Sequence, residues 1–149
     1  MPWIIFAAII WILNVLFIRP YELKKHWSVG AWSLLVGFFV TEALVFQGVI
    51  SFHEGLYLFQ EIPIAYIIGV SGLGLMIIRF LPSDKLWKLL YLIFVTGVLT
   101  WVEVIFINNG YLTIEPWSLY YSFFIKLFTL VCIAWLSHLT IRQSKGYLF

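Results

Sequence analysis

The chain has 149 residues, of which 63% are hydrophobic and 11% are charged, and its net charge is +2. With a mean hydropathy of +1.01, this composition excludes a water-soluble globular domain and a disordered chain alike. The few basic residues are scattered in short stretches, which argues against nucleic-acid binding. The length suits several apolar spans of about 20 residues and leaves no room for a soluble domain. We therefore expect residues 1–149 to form one all-α domain in a lipid bilayer.

Five apolar stretches alternate with short polar connections. They cover about residues 2–18, 27–51, 62–80, 86–107 and 117–141. The first lacks the basic start and the small-residue cleavage site of a secretory signal, so we expect it to remain as a span. Gly69, Gly72 and Gly74 in the third span are small enough to let another helix approach closely. The pattern predicts a bundle of five transmembrane helices.

The basic residues predict the orientation of this bundle. Of the nine Lys and Arg residues, eight lie in the first connection, the third connection and the tail, and none lies in the other two connections. By the positive-inside rule the N-terminus is outside and the C-terminus inside. Tryptophans near the span ends are expected to act as interfacial anchors. These are Trp3, Trp27, Trp87 and Trp117.

The ninth basic residue, Lys126, lies inside the last span. A lone charge at membrane depth costs about 2.5–3.5 kcal/mol on insertion scales, so this lysine needs a partner. The other ionisable groups within apolar runs are Glu42 and Glu103. Counted from the outer end, Glu42 is level with Lys126, and Glu103 is one to two turns shallower, within reach of a long lysine side chain. We expect the fold to bring all three together.

Hydroxyl side chains accompany these charges along two helices. Thr100 precedes Glu103 by three residues, and Ser122 and Thr129 flank Lys126 at helical spacing. The predicted site for a ligand or for protons therefore has six members. They are Glu42, Glu103, Lys126, Thr100, Ser122 and Thr129.

The sequence leaves two functions open for this site. It could bind protons or a small polar ligand, in transport or sensing of a small solute. Alternatively, the same groups hold the helices in register in an accessory or structural subunit that packs against another membrane protein or a second copy. Catalysis is less favoured, because no nucleophile set, metal-ligand pattern or cofactor motif accompanies the charges.

The remaining polar motifs support neither a metal site nor a cofactor site. Glu54, Glu61, Glu115 and His53 match no known cation-binding loop, so we expect a solvated acidic outer face. His26 and His138 lack a second ligand at zinc-binding spacing and are expected near the inner face. The glycines of residues 69–74 lie inside an apolar run, which favours helix packing over a phosphate loop.

One stretch resembles a known group of proteins. The run from Glu103 to Phe124, with Asn109-Gly110-Tyr111 and the residues WSLYYS at positions 117–122, resembles uncharacterised small multi-span membrane proteins of spore-forming Gram-positive bacteria. The resemblance implies a bacterial plasma membrane as the location. It brings no activity with it.

Overall fold

Helices account for most of the residues that the structure describes. In this computed structural model those residues are 2–53, 55–58, 62–114 and 119–146, with side chains described as far as residue 140. The helices are α1 (Pro2–Phe17), α2 (Pro20–Lys25), α3 (Trp27–Phe46), α4 (Ile64–Arg79), α5 (Lys85–Asn108) and α6 (Leu119–Gly146). The short strands are β1 (Ile50–Phe52), β2 (Tyr57–Leu58), β3 (Ile62–Pro63) and β4 (Leu112–Ile114). The predicted helical architecture is confirmed.

Three of these helices are long and apolar enough to cross a membrane. They are α3 with 20 residues, α5 with 24 residues, and α6 with 22 residues as far as Thr140. The helices α1 and α4 are also apolar but have 16 residues each, which corresponds to about 24 Å. A bilayer core is about 30 Å thick, so these two are short for a full crossing.

Helices α3 and α5 end in the same way. At the end of α3, Gly48 has a φ of 72° and its N–H donates to the carbonyl of Val45, while the N–H of Val49 donates to the carbonyl of Leu44. At the end of α5, Gly110 has a φ of 75° and the same two bonds recur. This is the Schellman motif, in which glycine accepts the left-handed conformation without a Cβ penalty. The second span therefore ends as a helix at Phe46 and not at residue 51 as predicted.

The strands that follow these two glycines pair with each other. β1 is antiparallel to β4, with Ile50 opposite Ile114 and Phe52 opposite Leu112. A second ladder joins β2 to β3. Phe52 and Leu112 are buried against Trp3 near the start of α1. We call this end of the bundle the sheet end, and the opposite end, formed by α2 and residues 80–84, the basic end.

Helix α4 packs closely against α1 and α3 through its glycines. A Cβ on Gly69 would lie 2.5 Å from a ring carbon of Phe6, and one on Gly74 would lie 1.9 Å from the hydroxyl of Ser33. Asn14 of α1 is fully buried and donates through Nδ2 to the carbonyl of Gly72 at 2.8 Å. The prediction that the third span allows close approach is confirmed.

An ion pair closes the basic end. Arg79, at the end of α4, donates through its Nη2 to Glu22 of α2 at 2.8 Å. The hydrogen bond from Arg79 lowers the pKa of the Glu22 carboxyl. Both side chains are partly exposed, so the pair orients α2 more than it stabilises the fold.

Candidate functional site

Lys126 and Glu103 form an ion pair between α6 and α5. The Lys126 ammonium donates to Oε2 of Glu103 and, at 2.7 Å, to the hydroxyl of Ser122 one turn earlier on its own helix. The Ser122 hydroxyl in turn donates to the same Glu103 oxygen at 2.7 Å. We call Glu103, Ser122 and Lys126 the polar cluster.

The two charges of the cluster differ in exposure. The Glu103 side chain is 9% exposed and the Lys126 side chain 25%. Glu103 lies five residues before the end of α5, or about 8 Å from the sheet end along the helix axis. At such depth each charge is costly alone, and the partner together with the bridging hydroxyl offsets that cost.

The polar cluster lines a cavity of about 190 Å³ at the centre of the bundle. The helices α1, α3, α4, α5 and α6 all contribute to its wall, and residues of β1 and β4 line it at the sheet end. Its polar side chains beyond the cluster include Thr41 and Thr129. The aromatic members of the wall are Trp3, Phe6, Phe52, Tyr66 and Phe106. The arrangement is a mostly apolar pocket with one concentrated polar spot, as small-molecule sites commonly are.

Glu42, in contrast, stays outside the cluster. It is half-buried, does not line the cavity, and forms no hydrogen bond or ion pair with another residue of the described ranges. On α3 the buried stripe passes through Ser33, Gly37 and Thr41, and Glu42 is turned by 100° from Thr41. Its helical neighbours Phe39 and Phe46 are 65% and 76% exposed. The expectation that Glu42 meets Lys126 is therefore wrong: the two share a depth but not a direction.

The predicted threonines do not bond to the charges either. Thr129 lines the cavity, but its hydroxyl donates to the carbonyl of Ile125 in its own helix at 2.8 Å. Thr100 is not part of the wall and donates to the carbonyl of Thr96 at 2.9 Å. A threonine hydroxyl in an apolar helix usually donates to the preceding turn, because the backbone carbonyls of that turn are the nearest acceptors. Of the six predicted residues, three form the cluster and Thr129 faces the same cavity.

The aromatic wall was not predicted from the sequence. Trp3 was expected at the membrane interface, yet it is 3% exposed and stacks on Phe106 with ring centroids 5.0 Å apart. Its indole N–H donates to the carbonyl of His53 at 3.3 Å. Trp27 and Trp87 are exposed, as anchors would be, and Trp117 lies outside the described residues. A tryptophan at a span end signals an interface only when no loop folds over it.

Of the four residues predicted to form the acidic outer face, the structure describes only His53. This histidine is exposed, and its Nε2 lies 2.6 Å from the hydroxyl of Thr113 on β4. Glu54, Glu61 and Glu115 fall outside the described residues. Within those residues no three His, Cys, Asp or Glu side chains come together in a way that could hold a metal ion.

No protein-family model, curated protein or solved structure matches this chain. The resemblance of residues 103–124 to membrane proteins of spore-forming bacteria therefore stays a prediction.

The groups of the polar cluster suit binding rather than covalent chemistry. The cluster offers a carboxylate, an ammonium and a hydroxyl that satisfy one another. A general base or nucleophile needs a partner that activates it, whereas here the carboxylate already accepts hydrogen bonds from both the ammonium and the hydroxyl. The cavity beside the cluster is large enough for several water molecules or one small organic molecule.

Proposed function

We propose that this chain is a multi-pass membrane protein that binds a small ligand in its central cavity, in the transport or sensing of that ligand. The observation that carries the proposal is that Glu103 and Lys126 line a cavity instead of facing solid protein. An ion pair that only holds helices together needs no cavity beside it. Ionisable groups placed inside a membrane and next to open volume are typical of ligand and ion pathways.

The proposed topology has five spans, with the N-terminus outside and the C-terminus inside. Two findings support it. First, α4 packs against α1, α3 and α6, so the two shorter helices belong to the same bundle as the long ones, and a membrane can thin locally around shorter spans. Second, the described sheet end has no Lys or Arg, whereas Arg19, Lys24, Lys25, Arg79 and Lys85 gather at the basic end. The positive-inside rule then places the basic end in the cytoplasm. From the resemblance of residues 103–124 to bacterial membrane proteins, we also propose that this membrane is a bacterial plasma membrane.

Ligand binding would draw on both parts of the cavity. The polar cluster can exchange its internal hydrogen bonds for bonds to a ligand, since the lysine side chain is long and partly exposed. The aromatic wall supplies apolar contact area at a low cost in side-chain entropy.

Thiol accessibility tests whether the cluster is open. The chain has a single cysteine, Cys132, so Cys132→Ser provides a cysteine-free background. Into it we would place Ser122→Cys, which preserves shape at the cavity wall. Methyl methanethiosulfonate, a small neutral reagent, is added to the protein in lipid nanodiscs, and modification is followed by mass spectrometry. Because the thiolate is the reactive form and needs water, we expect reaction at Ser122→Cys.

Two matched controls lie on the same helix. Ser137 is 1% exposed and is not part of the cavity wall, while Val131 is 43% exposed on the outer surface of the helix. We expect Ser122→Cys to react at least tenfold faster than Ser137→Cys or Val131→Cys. Equal rates at positions 122 and 137 would show a sealed ion pair, which contradicts ligand binding and favours the structural role.

A second function, that of an accessory subunit, is compatible with the outer surfaces of α5 and α6. Only 11% of the residues in each of these spans are buried, against 28% in α3. Large aromatic side chains stand on those surfaces, among them Phe94, Trp101, Phe124 and Phe128. Lipid or a partner helix would cover them equally well. Co-purification of a membrane protein in fixed stoichiometry, lost in Trp101→Ala, would favour this function over the first.

A further inference from the structure

We infer that the ligand is a neutral amphipathic molecule whose polar group carries both a hydrogen-bond donor and an acceptor, such as a primary amide or an alcohol, on a small apolar body. The inference rests on the proposed function and specifies its ligand. It follows from the unused bonding capacity of the polar cluster, from the charge of that cluster, and from the composition and size of the cavity.

The polar cluster leaves one donor and one acceptor unused. Both the Lys126 ammonium and the Ser122 hydroxyl donate to Oε2 of Glu103, and its other oxygen, Oε1, receives no hydrogen bond from the described residues. The ammonium has three N–H groups, of which two bond to described residues, namely Glu103 and Ser122. A free acceptor and a free donor therefore lie side by side.

The free oxygen is also accessible. In the described part of the chain, the fully enclosed side-chain polar atoms without a partner are Oδ1 of Asn14 and Oγ of Ser137. Oε1 of Glu103 is not one of them, so it retains accessible surface, and Glu103 lines the cavity. A molecule in the cavity therefore lies beside this carboxylate group. A primary amide or an alcohol can donate to this oxygen and accept from the lysine with the same polar group.

The charge of the cluster disfavours ionic ligands. Glu103 and Lys126 together carry no net charge, so an added carboxylate or ammonium would enter a largely apolar cavity without a counter-charge. Burying an unpaired ion is costly even after relaxation, whereas a hydrogen-bonded neutral group avoids this cost. An anion or a cation would also have to break the existing pair in order to gain a partner.

The remaining wall fixes the nature and size of the ligand body. Apart from the cluster and a few hydroxyls, the wall is made of aliphatic and aromatic side chains such as Leu99, Ile125 and Phe106. An apolar cavity of about 150 Å³ in another protein holds benzene. The 190 Å³ found here therefore suits a chain of about six carbon atoms with its polar group.

Four probes with the same six-carbon chain test this inference. Hexanamide, hexan-1-ol, hexanoate and hexylammonium are titrated at pH 7.5 into the protein in nanodiscs, and the unfolding temperature is measured. The same titration of Val40→Phe, in which a larger side chain fills the cavity, corrects for partition of the probes into lipid. Val102→Phe, from the opposite wall, serves as a second filled variant should the first fail to fold.

We expect saturable stabilisation of the wild-type protein by hexanamide and hexan-1-ol, and at least tenfold weaker binding of the two ions. The double variant Glu103→Gln with Lys126→Met should bind hexanamide at least tenfold more weakly than the wild type. Equal or tighter binding of either ion would overturn the inference and leave the binding function standing. If no probe binds but Ser122→Cys reacts with the thiol reagent, the inference about the ligand is overturned and the proposed function stands. If no probe binds and Ser122→Cys does not react, both the inference and the proposed function are overturned.

Discussion

Removing Lys126 alone should destabilise the protein far more than removing both partners of the Glu103–Lys126 pair. Lys126→Met leaves a carboxylate that is 9% exposed, with Ser122 as its remaining donor among the described residues. Breaking a buried pair in this way costs about 3–5 kcal/mol, and the nearby cavity favours the lower value of about 3 kcal/mol. Glu103→Gln leaves an ammonium that is 25% exposed and still bonded to Ser122, so about 1 kcal/mol is expected.

The double variant is the informative one. Glu103→Gln combined with Lys126→Met contains no buried charge, and it should be within about 1 kcal/mol of the wild type. The coupling energy between the two sites is then about 3–4 kcal/mol, at or above the upper end of what neighbouring residues show. The assay is unfolding by SDS in mixed micelles, followed by circular dichroism for the four proteins of the cycle.

Glu42→Gln provides the matched control for this cycle. Glu42 is half-buried and has no ion-pair partner within the described ranges, so a change within about 0.5 kcal/mol is expected. Additive effects of the two single substitutions, with no coupling between them, would refute the pair. A large effect of Glu42→Gln would show that the excluded carboxylate belongs to the site after all.

Three further predictions concern packing, pH and topology. In the same unfolding assay, Gly74→Ala should destabilise the protein by about 3 kcal/mol, because the added Cβ would lie 1.9 Å from a serine hydroxyl of α3. Gly97→Ala, whose Cβ would meet open space, should be neutral or stabilising by up to about 1 kcal/mol. Equal effects of the two substitutions would contradict the close packing at Gly74. Burial lowers the pKa of His26 below its usual 6.5, so the unfolded chain takes up the proton first and the wild type loses stability as the pH falls below about 6.5. His26→Gln should therefore lose less stability than the wild type between pH 7.5 and pH 5.5. An identical loss of stability in the two proteins would contradict the burial of His26. In right-side-out vesicles a membrane-impermeant thiol reagent should label Thr113→Cys and not Lys25→Cys, and the reverse pattern would invert the topology.

The charge pair could be predicted from the sequence because its physical cause is local. A lysine in an apolar run requires a partner of opposite charge wherever the fold places it. Only two carboxylates lie in the other apolar runs, so the choice of partner is limited to Glu42 and Glu103. Ser122 follows from its position one turn before Lys126 on the same helix face. These inferences use composition and helix periodicity alone, and both residues do meet Glu103.

The position of Glu42 could not be predicted in the same way. Counting residues from a span end gives depth, but the direction of a side chain depends on how its helix is rotated in the bundle. That rotation is set by contacts between helices, such as the fit of Gly37 against Val70 and of Ser33 against Gly74. Those contacts place Thr41 on the cavity wall and turn Glu42 away from it.

The sheet end could not be predicted from the sequence either. β1 and β4 have three residues each and lie 60 residues apart, so neither shows a strand period of useful length. The Schellman glycines Gly48 and Gly110 end both helices and direct the chain into these strands. In sequence, Ile50 and Ser51 continue an apolar run and so read as part of the second span. The burial of Trp3 follows from this cover and was missed with it.

The central claim, an ion pair that faces an open cavity, can be measured directly by solid-state NMR of the protein in lipid. A sample with labelled lysine nitrogen and glutamate carbon reports the distance from Lys126 Nζ to the Glu103 carboxyl carbon, with Lys126→Met identifying the signal. We predict a distance within about 4 Å together with magnetisation transfer from water to that nitrogen. A longer distance, or a short distance with no transfer from water, would contradict the account.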